Sequence, residues 1–105
     1  MNDRITRWVG DLENTLEGAS RLAARGRAAY DSDLAVPLAF EALCTRVGEL
    51  AKRLIAVDAE RFSAAIWSQA ARNRDFVVHH YDRVDRELLW RTVTVSFVEL
   101  RAELR

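Results

Sequence analysis

FEALCTRVGELAKRLI, residues 40–55, carries its apolar side chains at Phe40, Leu43, Cys44, Val47, Leu50, Ala51, Leu54 and Ile55. Steps of three and four place all of these on one face of a helix, whereas a half-buried strand would alternate with a period of two. Upstream, Asp31, Ser32 and Asp33 supply turn chemistry and an N-cap. Pro37 is then tolerated only in or near the first turn, where its missing N–H costs no intrahelical hydrogen bond. The spacing predicts a helix to about Val57. Gly48, inside it, either lets another backbone come close or costs about 1 kcal/mol relative to alanine.

Working outward, Ile5, Trp8, Val9, Leu12, Leu16, Ala19, Leu22 and Ala23 repeat the same spacing, predicting a first helix from Asp3 to about Tyr30 with Asn2 or Asp3 as cap. Asp58 caps a shorter segment downstream. From about Ala64 a third helix carries Ile66, Trp67, Ala70 and Ala71 into residues 74–81. Asp85 is placed to cap a last helix with Leu89, Val93, Phe97, Leu100 and Leu104 on one face. Val93 to Val98 also alternates with β-branched residues and would suit a strand. The flanking ELLW and VELRAEL favour helix. The expectation is an all-α fold, an antiparallel bundle of four to five helices forming one domain over residues 1–105.

Composition supports this reading. Four glycines and one proline in 105 residues are too few for a turn-rich all-β fold. Sixteen basic residues balance 16 acidic ones, so no overall field draws in nucleic acid and any RNA binding must be local. All the basic residues except Lys52 are arginine, whose planar fork suits phosphate. Cys44 is the sole cysteine, which excludes an internal disulfide and a cysteine-rich metal site; its neighbours make it a small core residue. The charged amino terminus lacks the apolar block of a signal peptide, and no apolar run approaches about 18 residues. A cytoplasmic protein with no membrane partner is expected.

The polar cluster lies in RDFVVHHY, residues 74–81, where both histidines, His79 and His80, stand beside Arg72, Arg74, Asp75 and Tyr81. A histidine can take a proton from a ribose 2′-hydroxyl near neutral pH, and an arginine can stabilise the charge that builds on phosphate oxygens. Asp75 could orient either. The same residues also read as a solvated helix face, with the histidines near a helix end where positive charge is favourable. A metal site fits poorly, because adjacent histidines diverge on a helix and no His/Glu pair has ligand spacing. Arg74 and Tyr81 are seven apart and share a face, whereas His79 stands roughly 140° from Arg74 on a regular helix. For the two to meet on one phosphate, the helix must distort or end near His79, or a second subunit must contribute.

The string from Trp67 to Tyr81 resembles the signature of HepT-like proteins of the HEPN superfamily: a tryptophan, then arginine followed by Asn or Asp, then His-x-Tyr. Arg74, Asp75, His79 and Tyr81 fit it without a gap. Val47 to Lys52 resembles that family's IGEAAK segment, and Val84 to Trp90 its VDLEIVW, so the resemblance runs from about Leu34 to Leu104. Asp82 and Arg83 depart from it, standing where an aromatic and a small residue are common.

This resemblance implies a symmetric homodimer whose two motif copies line a shared cleft, and a metal-independent endoribonuclease that needs no cofactor. It would act as the toxin of a type VII-like toxin–antitoxin pair. Arg74 and His79 would be catalytic, Asp75 and Tyr81 supporting, and Arg72 and His80 available to bind RNA rather than DNA. The implied partner is a minimal nucleotidyltransferase antitoxin that silences such toxins by AMPylation of the motif tyrosine, here Tyr81. Two other readings stand beside it. One is a non-catalytic helical subunit that binds and positions a nucleotidyltransferase; the other is a dimerisation module without an active site.

Overall fold

A computed structural model describes the backbone of residues 3–79 and 85–104, and the side chains of residues 3–74 and 85–104. Asp3–Ala23 form α1, Arg27–Ser32 α2, Ala35–Val57 α3, Ala65–His79 α4, Arg86–Arg91 α5 and Phe97–Glu103 α6, with a π-helical segment, Thr92–Ser96, joining the last two into one rod. No strand occurs among the described residues. The fold is all-α.

The first helix is shorter than its apolar pattern suggests. It stops at Ala23 because Gly26 takes a φ of 92°, a left-handed conformation that side chains disfavour, and the chain then starts α2. Arg25 and Gly26 donate back to the carbonyls of Leu22 and Ala23 and close the turn. Tyr30 therefore belongs to a separate short helix rather than to the end of the first. At the entry to α3 the cap position is Leu34, which makes no side-chain cap bond; the expected aspartate acts one residue earlier, Asp33 Oδ1 accepting from the N–H of Ala35 at 3.1 Å, and Pro37 lies in the first turn. Asp58 likewise accepts from the N–H of Arg61 at 3.1 Å.

α3 is the central element. Its Phe40, Cys44, Val47, Leu50, Ala51 and Leu54 are buried, while Leu43 and Ile55 only flank the core. Leu12 and Leu16 of α1, Trp67 and Ala70 of α4, and Leu89, Val93, Phe97 and Leu100 of the final rod close around it. Each large apolar side chain buried this way contributes about 1.5–3 kcal/mol, which is what holds helices with short connections together. Burial pushes the Cys44 thiol up to about 12, so it is un-ionised at neutral pH and packs as a small apolar group. No helix among the described residues is long and apolar enough to cross a membrane.

Two interhelical ion pairs tie the periphery together. Glu17 of α1 accepts from Arg101 of α6, and Glu87 of α5 accepts from Arg27 of α2. Those hydrogen bonds hold both carboxyls below the usual value of 4.5. Stabilisation from a depressed carboxyl is complete above 4.5 and disappears as pH falls through the lowered values. Urea midpoints measured at neutral pH and near pH 3 are therefore expected to differ less in a Glu17→Gln, Glu87→Gln double variant than in the parent chain.

Candidate active site

The site is built where α4 crosses α3. α3 and α4 lie close because Gly48 has no side chain: a Cβ there would overlap the Cβ of Arg74, come within 2.7 Å of its Cγ and 3.0 Å of the Ala70 carbonyl oxygen. Of the two roles open to Gly48, close approach is the one observed. The first methylenes of Arg74 lie over this glycine, and its guanidinium Nη2 stands 3.2 Å from Glu49 Oε2. The Arg74 side chain is 24% exposed, so most of it is sheltered.

On its other flank Arg74 follows Asn73, whose Nδ2 donates a long hydrogen bond, 3.4 Å, to Thr92 Oγ1. Thr92 is buried and heads the π-helical segment. Its hydroxyl also donates to the Leu88 carbonyl at 2.8 Å, and Thr94 donates to that of Trp90 at 2.8 Å. Threonine hydroxyls that bond back to the preceding turn loosen the regular ladder, and π segments recur near functional sites. Here the segment meets α4 beside Arg74. The β-branched run that also suited a strand thus forms a widened helix turn.

The chain leaving the motif is anchored as well. Asp85 Oδ1 caps α5 by accepting from the N–H groups of Glu87 and Leu88, both at 3.0 Å. Buried Tyr30 donates through its hydroxyl to the Arg86 carbonyl at 2.7 Å, and Arg86 Nη2 donates back to the Tyr30 carbonyl at 3.0 Å. Burial pushes the Tyr30 phenol up, keeping it a hydrogen-bond donor. The Tyr30 ring packs on Phe40 and Trp90 at 5.1 and 5.0 Å, and Arg27 lies over both Tyr30 and Trp90. α2, invisible as a separate element in the sequence, fastens the start of α5 through Arg86.

Of the residues singled out from the sequence, Arg74 is placed as described and Arg72 is exposed on α4. The backbone is α-helical from Arg74 through His79, so the two positions stand roughly 140° apart around the α4 axis. The side chains of Asp75 and His79, and all of His80, Tyr81, Asp82 and Arg83, lie outside the described residues. Trp67, which opens the motif string, is a core residue, 4.8 Å edge-on to Phe62. Glu49 was not among the expected site residues. Its signal was present in the segment Val47 to Lys52, next to the glycine that brings α4 close.

A family model described as Ribonuclease HepT-like matches residues 12–105. The chain belongs to the HepT-like ribonuclease family. No curated protein and no solved structure gives a significant match. The family match begins inside α1, well before Leu34, so most of the first helix belongs to the family domain although its sequence shows only pattern and length. As a HepT-like chain it carries the arginine and the histidine of the motif on one continuous helix, with the arginine packed against α3.

Proposed function

We propose that this HepT-like chain is a metal-independent endoribonuclease that acts as the toxin of a toxin–antitoxin pair. The observation that carries the reading is the family match across the whole of α4, combined with the mostly sheltered setting of Arg74. His79, as general base, would take the proton of a ribose 2′-hydroxyl. The freed oxygen attacks the adjacent phosphorus, Arg74 stabilises the charge on the phosphorane, and the P–O5′ bond breaks as the 5′-oxygen takes up the proton from His79, giving a 2′,3′-cyclic phosphate and a 5′-hydroxyl. Asp75 orients these groups, Tyr81 contacts substrate, and Arg72 and His80 are available to the RNA backbone.

A regular helix does not bring positions 74 and 79 to one phosphate, and the α4 backbone is helical between them. A symmetric dimer, with Arg74 from one protomer and His79 from the other, resolves this. α4 packs along α3 with Arg74 at Gly48 and Glu49, and nearer the start of the chain's central helix Leu34 and Leu38 are 65% and 54% exposed. Burying these side chains, like the exposed Val95 and Val98 of the final rod, against a second copy would remove apolar surface from water. The partner antitoxin, a minimal nucleotidyltransferase, would silence the enzyme by attaching AMP to Tyr81, adding bulk and negative charge where an RNA phosphate must sit.

Incubated with structured and unstructured RNA in excess EDTA, the purified chain is expected to release fragments ending in 2′,3′-cyclic phosphate. Absence of cleavage on every substrate, with the chain folded, would instead favour a non-catalytic subunit that positions a nucleotidyltransferase.

A further inference from the structure

Arginine side chains have several soft torsions, and holding one costs conformational entropy unless a partner fixes it. Gly48 sets where the stem of Arg74 lies, but a glycine cannot orient a guanidinium. The next residue supplies a charged neighbour for it: Glu49 Oε2 stands 3.2 Å from Arg74 Nη2, and Glu49 Oε1 stands 3.8 Å from Arg53 Nη2. Arg53 in turn lies over the Trp8 ring at 5.8 Å, and Arg4 lies over the same ring at 5.9 Å. A continuous set of contacts therefore runs from α1 through α3 to the motif arginine, and Glu49 is the member that touches it.

We propose that Glu49 is a positioning residue for Arg74, fixing the guanidinium in the orientation that meets the phosphorane. The proposal rests on the ribonuclease reading of Arg74. The carboxylate does not contact the reacting atoms; it acts through the arginine. Its negative charge beside the RNA path also gives the proposal a distinctive sign. Removing that charge should not weaken attraction for a polyanion, so loss of Glu49 should appear in kcat and not as a raised KM.

Glu49→Gln keeps the shape, and the side chain is 41% exposed, so folding should persist. The variant is expected to lose about tenfold to a hundredfold in kcat, with KM unchanged or lower, since misplacing a reacting group by about 1 Å costs that much. Glu49→Gln, Arg74→Ala should be no slower than Arg74→Ala alone, and Glu49→Asp should recover part of the loss. Retained kcat in Glu49→Gln, or additive losses in the double variant, would overturn the proposal. A second readout does not depend on activity: the Arg74 guanidinium in ¹⁵N-labelled protein, assigned by Arg74→Lys, should show restricted rotation about Nε–Cζ that becomes fast in Glu49→Gln. Equal rotation rates in the two chains would overturn the proposal even if wild type cleaves RNA. Restricted rotation in a chain that cleaves nothing would sink the ribonuclease reading while upholding the contact.

Discussion

Replacing His79 with alanine is expected to lower RNA cleavage by about 10²- to 10⁴-fold, the usual contribution of a positioned general base. Arg74→Ala should cost about 10²- to 10³-fold, the range for one group that stabilises transition-state charge. If the two act on one transition state, as proposed, the double variant should be scarcely slower than the worse single variant. Initial rates on a single defined RNA, with circular dichroism melts run in parallel, measure all three. A His79→Ala chain that cleaves at the wild-type rate would remove His79 from the mechanism.

Gly48→Ala is expected to produce the second large effect, and through a different route. On an isolated helix the change would stabilise by about 1 kcal/mol, since glycine is a poor helix former. Here the added methyl overlaps the stem of Arg74 and crowds the Ala70 carbonyl, which is backbone and cannot swing aside. Overpacking of this kind costs about 1–3 kcal/mol, so the net change should be destabilising despite the better propensity. Relief requires α4 to move away from α3, carrying Arg74 from Glu49, and activity should fall about a hundredfold. A chemical-denaturation midpoint and a cleavage rate on the same preparation check both arms. A Gly48→Ala chain more stable than the parent would show that the two helices do not need this close approach.

The helices whose apolar stripes face one large core were legible from spacing alone. α3 is the clearest case, because its stripe from Phe40 to Leu54, Leu43 apart, is buried as the three-and-four pattern requires and its ends fall beside Asp33 and Asp58. The pattern failed where periodicity is indifferent to a break. Apolar residues continue through Ala23 and Ala24 toward Tyr30, and only the conformational freedom of Gly26 marks the turn. Tyr30 itself is buried by contacts with Phe40 and Trp90, residues distant in sequence, so no local window could reveal it.

The candidate site was legible in proportion to how far its residues act locally. Arg74 stood out because it heads the one stretch with both histidines, and its resemblance to a family motif supplied a role. Glu49 touches Arg74 from α3 and Thr92 touches its neighbour Asn73 from the π-helical segment, 25 residues before and 18 after Arg74. Each is an ordinary helix-face residue until the fold brings it to α4. Gly48 lay between these cases, visible as an anomaly inside a helix but with its reason supplied only by α4.

The claim that one catalytic centre draws on two protomers is tested most directly by mixing inactive chains. Arg74→Ala and His79→Ala proteins are unfolded together and refolded at equal concentration, and cleavage is compared with each alone. If each centre takes Arg74 from one protomer and His79 from the other, about half the dimers are mixed and one of the two centres in each is intact, so about a quarter of wild-type activity should return. Activity no higher than that of the separate variants, in a mixture shown to contain the mixed dimer, would contradict the account.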